Sequence, residues 1–159
     1  MDIFALRREF MHRFDIPAPA TPTIDPALMR MWETMLVEEW QEFQDALSGL
    51  KALDANASRH EQVTAMAEVT AEGVDVMNVL IGLLLSQGLP VEAMTRAIHE
   101  ANLRKCQNGT IVRRADGKVL KPEGWQAADK SGIIRQALGE QEFSGKGLAS
   151  PADDPIFDN

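Results

Sequence analysis

The stretches Val37-Glu38-Glu39-Trp40-Gln41-Glu42-Phe43 and Glu68-Val69-Thr70-Ala71-Glu72-Gly73-Val74-Asp75-Val76-Met77-Asn78 carry carboxylates three or four residues apart, within segments that otherwise have the spacing of core-facing helices. Like charges at this spacing repel by roughly 0.2–0.5 kcal/mol per pair on an exposed helix, and by more when desolvated. The sequence has no lysine or arginine between Arg30 and Lys51, and none between Arg59 and Arg96. A divalent cation held by both segments would relieve this repulsion.

Length and composition indicate one globular domain with its own core, because the chain has 159 residues, 45% hydrophobic and 25% charged. A net charge of −8 argues against a nucleic-acid partner. The single cysteine, Cys106, excludes an internal disulfide and fits a reducing compartment. The N-terminus lacks the pattern of a secretory signal, and the apolar run Val79 to Leu85 is far shorter than the ~20 residues of a membrane span. We therefore predict a cytoplasmic protein with no membrane partner.

Helical spacing and capping residues predict an all-α bundle of four to five helices, at 2–14, 26–51, 58–87, 90–106 and 131–139. The second helix begins at Asp25-Pro26, and the third at a Ser58…Glu61 capping box. We divide the chain into an N-terminal helix with a proline-rich connector (1–25), an all-α domain (26–139) and a mobile C-terminal tail (140–159).

A short β-hairpin is predicted after the last long helix, at 109–121, because Asp116-Gly117 separates two short β-prone runs. The hairpin carries the cationic side chains Arg113, Arg114, Lys118 and Lys121. They are as compatible with a solvated surface as with a phosphate clamp.

The acidic residues of the second helix differ in direction. At about 100° per residue, Glu39 projects within the apolar stripe between Met35 and Leu36, whereas Glu42 lies at the border and Glu38 points further out. A purely solvated helix face is the alternative interpretation of such residues, but amphipathicity alone would not place Glu39 in the stripe.

On the third helix, Glu68, Glu72 and Asp75 share a face that continues as Val79 and Leu83, so this acidic stripe is predicted to point inward. Carboxylate oxygens are hard ligands that suit Mg²⁺ or Mn²⁺, and the absence of histidine from both stretches argues against zinc. The segment from Val79 to Leu85 is apolar all round, which predicts burial, partly in a subunit interface, and so a homodimer or homotetramer.

Further candidates lie beside these stretches and on the fourth helix. Asn102 and Lys105 project from the apolar face of that helix, although Lys105 could reach solvent past the helix end and Asn102 could be a satisfied core amide. Asn78 follows Asp75 by one turn and is a candidate for substrate contact. Trp40 adjoins Glu39, where it could pack in the core or lie against a nucleobase.

The acidic pattern resembles a known signature. Glu38-Glu39-x-x-Glu42 followed by Glu72-x-x-Asp75 is similar to the E-E-x-x-E … E-x-x-D motif of the all-α nucleoside triphosphate pyrophosphohydrolases, which include the MazG-like enzymes and the phosphoribosyl-ATP pyrophosphohydrolases. The resemblance spans roughly residues 26–106.

The later part of the chain resembles one branch of this group. Asn102-x-x-Lys105, Gly117-Lys118-Val119-Leu120-Lys121 and Gly124-Trp125-x-x-x-Asp129 are similar to the C-terminal part of phage and bacterial phosphoribosyl-ATP pyrophosphohydrolase-like proteins, and within them to the phage dGTP pyrophosphohydrolases. The sequence departs from the pattern at Val79, where some relatives have an aromatic that packs on the nucleotide.

The resemblance implies a helical bundle that assembles as a dimer or tetramer and cleaves a nucleoside triphosphate, with dGTP or GTP as the expected substrate, to the monophosphate and pyrophosphate in a Mg²⁺-dependent reaction. It implies that the metal ligands are Glu39, Glu42, Glu72 and Asp75. It also implies that Glu38 orients or deprotonates the attacking water, with Asn102 and Lys105 contacting nucleotide or phosphate. A helical interaction module with an acidic, cation-binding face is the competing hypothesis.

Overall fold

The computed structural model describes residues 2–107 and 109–140. These ranges contain the helices α1 (Ile3–Arg13), α2 (Pro26–Lys51), α3 (Arg59–Ser86), α4 (Val91–Leu103) and α5 (Lys130–Ala137). The predicted all-α class is confirmed. The tail predicted to be mobile lies, from residue 141 on, outside the described residues.

The two long helices begin where their capping residues predicted. The Asp25 carboxylate accepts hydrogen bonds from the backbone N–H groups of Ala27 and Leu28, each at 3.0 Å. At the start of α3, the Glu61 N–H donates to Ser58 Oγ at 3.3 Å, and the Ser58 N–H donates to Glu61 Oε2 at 2.7 Å. These bonds satisfy backbone donors that have no partner inside a helix, and so they fix both starting points.

The fourth helix is shorter than predicted, since it ends at Leu103 rather than near Cys106. After it, the Lys105 N–H donates to the Asn102 carbonyl and the Cys106 N–H donates to the Leu103 carbonyl, both at 3.1 Å. These bonds span three residues instead of four, so the chain tightens into a turn before the predicted end.

The fold is built on the pairing of α2 with α3, which is the most extensive contact between helices. Gly73 lies against Phe43 and Gly82 lies against Trp32, so residue numbers fall along one helix as they rise along the other and the pair is antiparallel. This register places Glu39 at the level of Asp75. The position of the two acidic stretches therefore follows directly from the pairing.

The core lies at one end of this helix pair, where α1 packs against α3. Its buried hydrophobic residues include Met11, Trp32, Val79, Ile81, Leu85 and Val91. Burial of the Val79–Leu85 segment is confirmed for most positions, but Leu80 is 42% exposed. Residues of α4 contact α3, and α5 in turn contacts α4.

The predicted β-hairpin is not formed as a pair of strands. In this segment, Arg113 and Val119 form one isolated antiparallel bridge around the turn at Gly117, whose φ is +88°. Val112 and Leu120 remain 51% and 37% exposed. A two-stranded ribbon without further strands or a buried face is only marginally stable, which explains why the Asp-Gly signal produces a turn and no sheet.

The third helix has the composition of a membrane span over part of its length. It contains an 18-residue window of mean hydropathy 1.5, so by length and composition alone it is apolar enough to cross a bilayer. Core helices of soluble proteins pass the same test, and in this fold α3 is the central helix, in contact with α1, α2 and α4.

Candidate functional site

The register of α2 against α3 brings carboxylates from both acidic stretches into one cluster. Glu39 from α2 meets Glu72 and Asp75 from α3, and each offers an oxygen within 4.8 Å of those of the other two. Glu39 and Glu72 are half-buried, whereas Asp75 is exposed. Three converging carboxylate oxygens are a ligand set that fits a hard divalent cation.

The cluster is electrostatically unfavourable without a cation. Desolvation raises the pKa of Glu39, and the charges of Asp75, Glu42, Glu72 and Glu38 raise it further. Desolvation also raises the pKa of Glu72, followed by the charges of Glu42, Asp75 and Glu68. The neighbouring carboxylates therefore make ionisation of Glu39 and Glu72 harder, and a bound cation would offset the repulsion.

The remaining candidates of the two stretches surround this cluster. Glu42 is exposed on α2, and its charge, after desolvation, contributes to the raised pKa of Glu72. Glu38 is exposed. The Asn78 side-chain amide donates to Asp75 Oδ1 at 3.4 Å, so Asn78 lies beside the cluster, as its place one turn after Asp75 requires.

Two candidates on and after α4 are not joined to the cluster within one chain. Asn102 is exposed, and Lys105 is half-buried with its Nζ 5.9 Å from the ring centroid of Trp125. The Trp125 indole N–H donates to the Ala101 carbonyl at 2.7 Å, which fixes the ring beside the end of α4. Within residues 2–107 and 109–140, no hydrogen bond or ion pair links Lys105 to an acidic side chain.

The two arginines of the turn after α4 form bonds within their own segment. Arg113 donates to the Gly117 carbonyl at 2.9 Å. Arg114 forms an ion pair with Asp116, and this contact raises the pKa of Arg114. Lys118 is exposed, and its backbone N–H donates to Asp116.

Trp40, the aromatic candidate beside the cluster, lies at the surface of α2. Its side chain is 50% exposed, and its ring centroid is 5.6 Å from that of Phe43. The ring is therefore neither a core residue nor enclosed in a pocket within one chain.

A cavity of about 680 Å³ adjoins the cluster, and α1 forms one of its walls. Glu39, Asp75 and Asn78 lie on one side, and Arg7 and Phe10 of α1 lie on another. Sequence reasoning missed this wall because it treated residues 1–25 as a segment separate from the domain. The signal was present, since Arg7 follows Ile3 by four residues and precedes Phe10 by three, and so shares the apolar face of α1.

The carboxylate cluster lies in the part of the chain that matches a known protein family. The model of the phosphoribosyl-ATP pyrophosphohydrolases matches residues 7–102, from Arg7 in α1 to Asn102 in α4. The chain belongs to this family. The family match covers both acidic stretches and, within the α1 wall of the cavity, Arg7 and Phe10. A comparison with curated proteins gave no match.

Membership in the phosphoribosyl-ATP pyrophosphohydrolase family implies a nucleotide pyrophosphohydrolase. The family typically depends on a divalent cation, and the oxygen-only cluster of Glu39, Glu72 and Asp75 suits one.

Proposed function

We propose that the protein is a Mg²⁺-dependent nucleoside triphosphate pyrophosphohydrolase that converts a (d)NTP, with dGTP or GTP as the expected substrate, to the monophosphate and pyrophosphate. The observation that carries the proposal is the convergence of Glu39, Glu72 and Asp75 oxygens within 4.8 Å at the edge of a cavity of about 680 Å³. A cavity of this volume accommodates a nucleotide-sized ligand.

The ligand chemistry supports Mg²⁺, with Mn²⁺ as a substitute. Glu39, Glu42, Glu72 and Asp75 supply only carboxylate oxygens, and phosphate oxygens or water would complete the coordination. A bound divalent cation would lower the pKa of a water molecule and offset the charge that develops on the phosphate oxygens.

The protein side chains have separate roles in this proposal. Glu38, exposed next to the ligand Glu39, accepts the proton of the attacking water. Asn78 orients Asp75 through the hydrogen bond at 3.4 Å. Water attacks the α-phosphorus, the bond to the bridging oxygen of the β-phosphate breaks, and pyrophosphate leaves.

Assembly into a homodimer or homotetramer is part of the proposal. The helix α3 presents three apolar side chains at helical spacing that are between 46% and 51% exposed: Val63, Met66 and Met77. Exposed apolar side chains grouped in this way mark a protein interaction surface. Light scattering should give a mass of at least twice the 17.6 kDa chain, and a monomeric mass at assay concentration would contradict the proposal.

A second copy of the chain would also explain the role of the candidate residues that lie apart from the carboxylate cluster within one chain. We propose that Asn102 and Lys105, with Arg113, Arg114, Lys118 and Trp40, contact the nucleotide or the departing pyrophosphate in the assembled protein. The charge of Lys105 would stabilise the pyrophosphate as the bond breaks. Cytoplasmic location and the absence of nucleic-acid or membrane partners remain predictions from composition.

A product assay tests the proposed function. The protein is incubated in Mg²⁺ with each NTP and dNTP in turn, and separately with phosphoribosyl-ATP, the substrate that gives the family its name. The products are identified by ³¹P NMR. We expect one monophosphate and one pyrophosphate per substrate consumed, with the greatest rate for a guanine nucleotide. Release of orthophosphate instead of pyrophosphate would contradict the proposal. No cleavage of any nucleotide despite cation binding would instead support the acidic interaction module.

A further inference from the structure

The side chain of Arg7 is held in place without being paired. Its Cζ lies 4.5 Å from the centroid of the Phe10 ring and 5.3 Å from that of the Trp32 ring, so two aromatic rings hold the guanidinium. Its Nε is inaccessible to solvent and has no hydrogen-bond partner within the described part of the chain. No ion pair within the same part includes Arg7. The guanidinium is therefore positioned by its surroundings, and its terminal Nη donors are the ones that can reach a ligand.

Gly82 on α3 makes room for this arrangement. A Cβ atom at Gly82 would lie 3.0 Å from Arg7 Nε and would clash with the Trp32 ring. Gly82 follows Asp75 by seven residues, which corresponds to roughly 10 Å along the helix axis. The Arg7 guanidinium thus lies toward the other end of the cavity from the carboxylate cluster, where burial lowers its pKa and the charge of Asp75 raises it.

The cavity between these ends suits a nucleobase. Leu6, Phe10, Val74 and Val79 give it apolar walls, and Asn78 is the polar side chain between the carboxylates and Arg7. Ligand pockets typically combine apolar walls with a few polar groups that fix the orientation of the ligand. With the phosphates at the carboxylate end, the edge of the base would face Arg7.

We propose that Arg7 determines base specificity and selects guanine over adenine, an inference that rests on the proposed function. A guanidinium only donates hydrogen bonds. Guanine presents two neighbouring acceptors, O6 and N7, which a guanidinium can bind together, whereas adenine places an amino donor beside N7. The amino group of adenine would therefore point its N–H donor at the N–H donors of Arg7, where neither group can accept a hydrogen bond.

The test is the ratio of kcat/KM for dGTP to that for dATP in Arg7→Gln. A glutamine amide offers one donor and one acceptor, which complement adenine N7 and N6. We expect the ratio to fall roughly 10- to 100-fold, because a bidentate base contact contributes discrimination of that order. Arg8→Gln is the matched control. Arg8 follows Arg7 directly but pairs with Glu92 at 2.7 Å and should leave the ratio unchanged.

Several outcomes would overturn the inference. An unchanged ratio in Arg7→Gln would show that Arg7 does not read the base. An equal loss for all nucleotides would show that it binds phosphate. If Arg7→Gln does not fold, as judged by circular dichroism, Arg7→Met replaces it. Methionine offers no hydrogen-bond donor to guanine O6 and N7, and so the ratio should again fall.

Failure of the inference can be separated from failure of the proposed function. Binding of the α,β-methylene analogues of dGTP and dATP, measured by calorimetry, compares the two bases without turnover. A wild-type protein that cleaves no nucleotide would refute the proposed function. A wild-type protein that binds both analogues equally would refute guanine selection by Arg7, whatever the turnover.

Discussion

Asp75→Asn is expected to lower kcat/KM for nucleotide cleavage by about 10²- to 10³-fold, because it removes one carboxylate from the proposed cation site and so weakens the cation that would offset charge on the phosphates. Asn is isosteric with Asp, so the packing of α3 should not change. The circular dichroism spectrum should match that of the wild type. Metal-free stability should be equal or higher, since the Asp75 charge raises the pKa of both Glu39 and Glu72 and the substitution removes this repulsion.

Glu33→Gln is the matched control for Asp75→Asn. It makes the same change of charge on α2, at an exposed position six residues before Glu39 and outside the carboxylate cluster. Its activity should stay within a factor of two or so of the wild type, as expected for a surface substitution. Full activity of Asp75→Asn, or equal losses of activity in the two variants, would show that Asp75 is not a ligand of the proposed metal site.

Magnesium is expected to raise the melting temperature near pH 7.5 and to lose this effect as the pH falls. At a Mg²⁺ concentration 100 times its dissociation constant, binding to the folded state alone contributes about 2.7 kcal/mol, or roughly 5–10 °C for a chain of this size. Acidification should remove the effect because protons compete with the cation for Glu39 and Glu72. Melting curves recorded by circular dichroism with Mg²⁺ or EDTA, from pH 4 to 8, provide the measurement.

In the metal-free protein, Glu39 and Glu72 should lower the free energy of unfolding as the pH rises. This dependence on pH is opposite to that of the stabilisation by Mg²⁺. Folding raises the pKa of Glu39 and of Glu72, so the folded state binds their protons more tightly than the unfolded state does. Their contribution to the free energy of unfolding therefore falls as the pH rises from the ordinary glutamate pKa through the raised values in the folded protein. A Mg²⁺ effect of the same size at pH 4.5 and pH 7.5 would contradict carboxylate ligation.

The parts of the fold that depend on local chemistry were predictable from the sequence. Asp25-Pro26 and the Ser58…Glu61 capping box predicted the starts of α2 and α3, and the structure confirms both. The position of Glu39 within an apolar stripe predicted its inward direction, and the structure places it, half-buried, beside Asp75. These features are set by residues within one or two helical turns, which is the range that periodicity and capping describe.

The features that depend on tertiary contacts were not predictable in the same way. Arg7 reaches the cavity only because α1 folds back onto α3, a contact between segments some seventy residues apart in sequence. The hairpin prediction failed because a turn signal does not supply the further strands that a stable sheet needs. Lys105 was predicted from α4 periodicity, but the helix ends at Leu103 and the side chain lies beside Trp125.

Calorimetric titration of Mn²⁺ into the metal-free protein tests most directly whether the two acidic stretches form one cation site. The wild type should bind Mn²⁺ in a saturable manner at pH 7.5, and Asp75→Asn should bind it at least 10-fold more weakly, because even the loss of an outer-shell partner typically costs 10- to 100-fold in metal affinity. Equal affinity in the two proteins, or no saturable binding by the wild type, would contradict the account.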